Sequence, residues 1–316
     1  MTVRQTGEFR LIARITARLG RAGPAVLLGP GDDAAVVAAP DRRVVATTDA
    51  LVAGRHFRRD WASPVDVGHR AAAANLADVA AMGATPTALL VALCVPAELE
   101  VAWVDGLADG LAAEAALVGA QVVGGDVSAS PTLIIVVTAL GDLAGAAPVT
   151  RAGARPGDVV AMAGRIGHAA AGLTVLSRGF RSPKLLVDAY RRPLVRYAAG
   201  PAAAGLGATA MIDVSDGLLA DLGHVAAASG VAVDVRREAF PLPGPLRNAA
   251  KALGVDPYDW VLSGGDDHPL VATFPAGTRL PADTWQVIGE VRDGSGVTVD
   301  GAPHPGPAGW DHFRPA

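Results

Sequence analysis

A chain of 316 residues, 51% apolar and 18% charged, is too hydrophobic for a disordered protein and long enough for two cores of ordinary size. Its net charge of −4 leaves no electrostatic footprint for nucleic acid or anionic lipid. No apolar run approaches the roughly 20 residues that cross a bilayer, and the single cysteine, Cys94, has neither a disulfide partner nor companion metal ligands.

In chain order, Arg10, Arg14 and Arg18 oppose Phe9, Ile12, Ile15 and Leu19 at helical spacing, which reads as a surface helix of the mature domain. Runs rich in Val and Ile at 43–47, 133–138, 158–162 and 232–235 alternate with Ala- and Leu-rich helical stretches, the pattern of a mixed α/β chain. One helix is well marked: Ser63 can cap it, Pro64 suits its first turn, Asp66 its positive end, and Gly83 its stop. Cys94 lies in an apolar run and reads as a buried small hydrophobe in a reducing, cytoplasmic compartment. Gly, Ala and Pro crowd residues 141–157, which places a domain boundary near 148 and gives domains 1–148 and 149–316. A second helix is expected from Asp216 or Gly217 to Ser229, stopped by Gly230, and the Gly- and Pro-rich tail from 294 is expected to be loop.

The chemically informative residues are aspartates at the ends of apolar strands, usually beside glycine. They occur as Gly31-Asp32-Asp33, Thr47-Thr48-Asp49, Gly124-Gly125-Asp126, Asp213-Val214-Ser215-Asp216-Gly217 and Gly264-Gly265-Asp266-Asp267. Each alone has an ordinary explanation, since Asp and Gly favour turns and Asp caps helices; capping alone would account for Asp216, and a solvated turn for Asp32. Asp78 is different: it sits near the negative end of its helix, where a carboxylate costs about 0.3–1 kcal/mol, with Asn75 on the same helical face. If such turns converge, their carboxylates repel unless a cation neutralises them, and hard oxygen donors from Asp and Thr suit Mg²⁺ or Mn²⁺ and not zinc. Glycines beside them let backbone N–H groups approach an anion, so the residues by themselves read as a metal and phosphate site.

Several chemistries lack their signatures: the Gly-rich phosphate loop ending in Lys, the protein-kinase motif set, and the zinc-protease His pair. The run Gly164-Arg165-Ile166-Gly167-His168 follows a strand but does not match the dinucleotide fingerprint; it reads first as structural and second as a phosphate contact. His69 and His224 read as helix-face residues.

The ordered set resembles the thiamine-monophosphate kinase family, within the aminoimidazole ribonucleotide synthetase-like superfamily. The matching segments begin with Gly7-Glu8-Phe9, Gly29-Pro30-Gly31-Asp32-Asp33, Thr48-Asp49-x-Leu51-Val52-x-Gly54-x-His56-Phe57 and Asn75-Leu76-x-Asp78-x-Ala80-Ala81-Met82-Gly83. They continue through Gly124-Gly125-Asp126, Thr150-Arg151-x-Gly153-Ala154, Asp213-x-Ser215-Asp216-Gly217-Leu218, Ser263-Gly264-Gly265-Asp266-Asp267 and Gly309-Trp310-Asp311-His312-Phe313. The resemblance implies a two-domain α/β fold with mixed sheets, N-terminal domains pairing in a homodimer, ATP as co-substrate and several Mg²⁺ ions. It implies metal contacts at Asp33, Thr47, Thr48, Asp49, Asp78, Asp126, Asp213 and Asp216, and nucleotide contacts at Gly125, Asp126, Arg151 and Ser215. Thiamine monophosphate is implied at His56, Asp266 and Trp310, where a flat cationic heterocycle can stack on indole.

The implied reaction is direct in-line transfer of the ATP γ-phosphoryl group to the phosphate of thiamine monophosphate. That acceptor is already ionised, so no nucleophile or general base is assigned. The chain departs from the family at Asp266-Asp267-His268, where Glu-Asp-Tyr is usual, and the shorter carboxylate at 266 reaches less far. The alternatives are another ATP-dependent synthetase of the superfamily, a two-metal phosphohydrolase, and a non-catalytic cation binder. The selenophosphate and hydrogenase-maturation relatives need a Cys near one terminus, which Cys94 is not.

Overall fold

The computed structural model describes residues 1–20, 23–30 and 34–311. Two units divide the chain, Met1–Val79 with Ala84–Gly145 and Ala80–Gly83 with Ala146–Ala316.

The first unit runs α1 (Val3–Thr6), α2 (Glu8–Thr16), β1 (Val26–Leu28), β2 (Val36–Val37), β3 (Val45–Val52), α3 (Pro64–Ala81), β4 (Thr85–Val95), α4 (Val101–Ala116), β5 (Gln121–Ala129) and β6 (Ile134–Asp142). Its main sheet has the order β3-β6-β4-β5, antiparallel except for the β4–β5 pair. Side chains alternate across a strand, so each row of paired residues belongs to one face. Leu89, Ile135, Val137 and Ala139 are buried on one face, where Val79 of α3 packs against Gly141 of β6. The other face carries Thr48, Ala50, Leu90, Ala92 and Asp126, all exposed. Cys94 is on that second face and only half-buried, because alternation turns Leu93 and Val95 inward in its place.

Helix α3 starts as the sequence implies. The Ser63 hydroxyl and backbone N–H both donate to Asp66 Oδ2, at 2.8 and 3.0 Å, and the Asp66 N–H donates to Ser63 Oγ at 3.2 Å. This reciprocal cap satisfies donors that helix geometry leaves open. Helices α3 and α4 then cross so closely that neither Gly68 nor Gly110 has room for a Cβ: one would meet the Leu107 carbonyl oxygen and the other that of Val65. His69 on α3 reaches Glu114 of α4 at 2.7 Å.

The second unit runs β7 (Val159–Ala163), α5 (His168–Ser177), α6 (Lys184–Arg191), α7 (Ala199–Gly205), β8 (Ala210–Asp213), α8 (Leu218–Ser229), β9 (Ala232–Val235), α9 (Gly244–Leu253), α10 (Pro257–Leu262), β10 (Leu270–Phe274), β11 (Gln286–Arg292) and β12 (Gly296–Val299). Its six strands take the order β12-β9-β11-β7-β10-β8, with only β12–β9 parallel. Leu218, Leu222, Val160, Val233 and Ile288 fill its core, and each such side chain contributes about 1.5–3 kcal/mol by burial. Gly230 ends α8 in the left-handed conformation, as the sequence predicts. The tail is not all loop. Residues 296–299 form β12, which pairs Val297 with Val233 and Val299 with Val235; four residues among Gly and Pro are too few for alternation to declare a strand.

Gly110→Ala tests the α3–α4 crossing. Alanine favours an isolated helix by about 1 kcal/mol, yet its Cβ would collide with the Val65 carbonyl oxygen. A net loss of about 2 kcal/mol is expected from urea denaturation; an unchanged midpoint would mean that the helices separate freely.

Candidate active site

In the first unit, strand β3 and the last turns of α3 bring three predicted residues together. Thr47 and Asp49 share the helix-covered face, since they pair with Ala139 and Val137 of β6. The Thr47 hydroxyl donates to Asp78 Oδ2 at 2.8 Å, which ties the edge strand to the helix end. Asn75, one turn earlier, is buried and donates Nδ2 to the Ala71 carbonyl at 3.0 Å. Its Oδ1 is buried with no hydrogen-bond partner among the described residues.

Other predicted residues of this unit lie apart from that group. Thr48 points to the open face and spends its hydroxyl inside the sheet, donating to Val137 O at 3.0 Å and accepting from Thr138 at 3.1 Å. Asp126 and Gly125 lie on β5, at the opposite edge from β3, about 14 Å away by three interstrand spacings. Asp126 accepts from Ser128 at 2.7 Å. His56 closes a tight turn after β3: its N–H donates to Val52 O at 2.9 Å, and its Nδ1 accepts from Val52 N–H at 3.0 Å. The adjacent Phe57 is buried and stacks on Trp103 at 6.4 Å, which fixes the turn beneath the imidazole. Asp33 lies outside the described residues.

In the second unit, three segments far apart in sequence converge through their backbones. The Asp266 N–H donates to Ser215 O at 2.9 Å, His268 N–H to Val214 O at 3.2 Å, and Val214 N–H to Pro269 O at 2.9 Å. From the tail, Trp310 N–H donates to Asp216 O at 2.9 Å and Ala220 N–H to Ala308 O at 3.1 Å. Such approach requires glycine. A Cβ on Gly265 would overlap the Ser215 carbonyl oxygen, and one on Gly309 would lie 2.6 Å from that of Asp216. Asp213, Ser215, Asp216, Asp266 and Trp310 thus form one constellation, with the indole 52% exposed. Arg151 is exposed on a neighbouring loop whose backbone is held by Ser229: the serine hydroxyl accepts from Gly153 and Ala154 N–H and donates to Arg151 O.

Residues 31–143 match the family described as AIR synthase related protein, N-terminal domain, and residues 155–301 match its C-terminal domain. The thiamine-monophosphate kinase of Mycobacterium tuberculosis is 49% identical over 315 residues, covering 99% of this chain and 93% of the relative. The chain belongs to the thiamine-monophosphate kinase family. The Corynebacterium glutamicum member is 41% identical over 99% of this chain and 95% of its own length. Among solved structures, the Stenotrophomonas maltophilia thiamine-monophosphate kinase aligns at TM-score 0.81 with 36% identity, over 94% of this chain and 97% of that one. The AaThiL complex with AMPPCP and TMP aligns at 0.80 with 34% identity, over 99% of each.

Within this family member, two buried carboxyls hold the turns in place, and their structural roles were not evident from the motifs. Asp216 does not cap α8. The N-cap is Gly217, and Asp221 in the first turn accepts the N–H groups of Asp216 and Gly217, both at 3.1 Å. Burial, then the nearby charge of Asp213, pushes Asp221 up to about 7 against the pull of those two N–H donors. An aspartate in a first helical turn is the signal that marks it. Asp267 accepts the Ala169 N–H with both oxygens at 3.1 Å, so the N-terminus of α5 is occupied by a carboxylate of this chain. The run from Gly164 to His168 is therefore structural at that helix end. Arg165 stands 3.8 Å from Asp267, and burial outweighs their attraction on both sides: the guanidinium is lowered and the carboxyl is pushed up to about 7.

Among the described residues, no three His, Cys, Asp or Glu side chains stand close enough to hold a metal by themselves. The donors present are nevertheless of the right kind: Thr47, Asp49 and Asp78 offer oxygen, the donor type that suits Mg²⁺, while the orphaned Asn75 Oδ1 behind them is buried.

Asp267→Asn tests the buried carboxyl. The unfolded group titrates near 3.9 and the folded one near 7. Between those values the folded protein holds a proton that the unfolded chain has lost, so this site's stability falls as pH rises through the window. The amide still accepts from Ala169 and carries no charge. The variant is expected to melt later than wild type at pH 8, by on the order of a few kcal/mol, and to match it at pH 4. Equal shifts at both pH values would show that Asp267 does not titrate there.

Proposed function

We propose that this chain transfers the γ-phosphoryl group of ATP to thiamine monophosphate, giving thiamine diphosphate and ADP. The observation that carries the reading is the backbone-locked constellation of Asp213, Ser215, Asp216, Asp266 and Trp310 in a chain 49% identical to a thiamine-monophosphate kinase. Its solved relative in complex with AMPPCP and TMP supports ATP as the donor. We assign the nucleotide to Gly125, Asp126, Arg151 and Ser215, and the thiamine phosphate to His56, Asp266 and Trp310. The exposed indole suits stacking on a cationic heterocycle. The His56 Nδ1 accepts from the Val52 N–H, so the ring hydrogen lies on Nε2, which is buried.

Mg²⁺ is assigned to Asp33, Thr47, Thr48, Asp49, Asp78, Asp126, Asp213 and Asp216, and when bound it supplies neutralisation of the phosphate charges. Of these, Thr47, Asp49 and Asp78 are best disposed, while the hydroxyl of Thr48 is already engaged within the sheet. The bond from the γ-phosphorus to ADP breaks as one forms to an acceptor phosphate oxygen. That oxygen is ionised beforehand, so no side chain needs to take a proton and none is cast as nucleophile. The chain's own contribution is orientation. The domain limits adopted are 1–148 and 149–316. The described residues contain no helix long and apolar enough to cross a membrane. A cytoplasmic location is a separate proposal, supported by the single cysteine, Cys94, which suits a reducing compartment.

Incubation with ATP and Mg²⁺ should turn over thiamine monophosphate and leave thiamine unphosphorylated, read by chromatography of thiamine diphosphate. Comparable turnover of both acceptors would remove the assignment. Asp33→Asn, Asp78→Asn and Asp213→Asn should each lose most activity with the circular dichroism of wild type; near-normal rates in all three would detach these residues from the reaction.

A homodimer is proposed through the open face of the first unit's sheet, where Leu90 is 38% exposed beside Ala92. Leu90→Arg should convert a dimer to a monomer in sedimentation velocity. A dimer that survives that charge would place the contact elsewhere.

A further inference from the structure

We propose that His268 is a positioning residue for Asp213, holding one carboxylate oxygen so that the other is presented to the divalent cation. The inference rests on the metal role proposed for Asp213 and adds a residue that the motifs do not assign. Asp213 is the last residue of β8 and is buried; His268 precedes β10 and is 5% exposed. Its Nδ1 lies 3.0 Å from Asp213 Oδ2. An ionised carboxylate has no hydrogen to give, so Nδ1 donates.

The placement is rigid on both sides. Asp213 pairs with Leu270 in the β8–β10 ladder, and just beyond it His268 N–H bonds Val214 O while Val214 N–H bonds Pro269 O. His268 itself is left-handed, with φ at +51°. Histidine tolerates that conformation better than a branched or bulkier residue does. The two backbones therefore cannot slide without breaking the ladder, and the imidazole fixes the remaining freedom of Asp213, the rotation of its carboxylate. Among the described residues Asp213 makes no other side-chain hydrogen bond. Removing the imidazole would leave a buried carboxylate free to turn, with Asp221 close by on the first turn of α8. A donor behind a ligating carboxylate is commonly worth 10–100-fold in metal affinity.

The test is Mn²⁺ binding to the substrate-free enzyme, read from the electron paramagnetic resonance of free Mn²⁺, for wild type, Asp213→Asn, His268→Phe and His268→Asn. Asparagine carries its amide nitrogen where the imidazole carries Nδ1. His268→Phe should bind Mn²⁺ about 10–100-fold more weakly, and His268→Asn should recover most of that loss. The Mg²⁺ concentration for half-maximal activity should rise by the same factor in the Phe variant, with kcat at saturating Mg²⁺ much less affected. Wild-type binding by His268→Phe, with weakened binding by Asp213→Asn, would overturn the role of His268 and leave the metal reading intact. Wild-type binding by both would overturn the metal role of Asp213 and this inference with it. Should the Phe variant melt below the assay temperature, His268→Leu replaces it, smaller and equally without a donor, with the same outcomes.

Discussion

The candidate site in the second unit depends on backbones lying close enough to hydrogen-bond where no regular sheet exists. Residues 213–217, 263–269 and 307–310 meet by peptide N–H groups donating to peptide carbonyls, at Ser215, Val214, Pro269, Asp216 and Ala308. Buried backbone groups must be paired, so these bonds satisfy the turns while setting their spacing. The glycines follow from that contact. Side chains at 217, 265 or 309 would occupy space already filled by carbonyl oxygens. Aspartates beside those glycines inherit their positions from the backbone and not from packing of their own.

Closeness of this kind concentrates negative charge, and the molecule meets that cost in three different ways. Asp221 spends its carboxylate on the N–H groups that open α8, Asp267 on the one that opens α5, and Asp213 on the imidazole of His268. Burial still raises Asp221 and Asp267 to about 7. These donors reduce the desolvation cost without abolishing it. The remaining cost of this crowding stays with Asp221 and Asp267 themselves.

The first unit solves a different problem. A four-stranded sheet with one covered face must place Thr47 and Asp49 where α3 ends, and the β3–β6 register does this by pairing them with buried Ala139 and Val137. A slip of one residue would turn both to the opposite face. Asp78 then reaches β3 from the helix end, the position at which a carboxylate is least favoured by the helix itself. Its hydrogen bond to Thr47 answers part of that cost.

Sequence alone carried the mixed α/β class, the cap at Ser63, the stop at Gly230 and the order of acidic turns, because each depends on residues a few positions apart. The kinase family was legible for the same reason: its motifs are short, ordered and spread from residue 7 to 313. Pairings between distant segments were not legible. The β12 strand needed β9 beside it, Cys94 was turned outward by alternation, and the N-cap of α8 fell to Gly217, with Asp221 accepting the N–H groups of Asp216 and Gly217. Asp126 stood at the far edge from Asp49 only because two strands were laid between them. His268 reached Asp213 across 55 residues of chain. Local chemistry fixes what a turn can bind; which turns meet is decided by strand order and buried area, and those are properties of the folded chain.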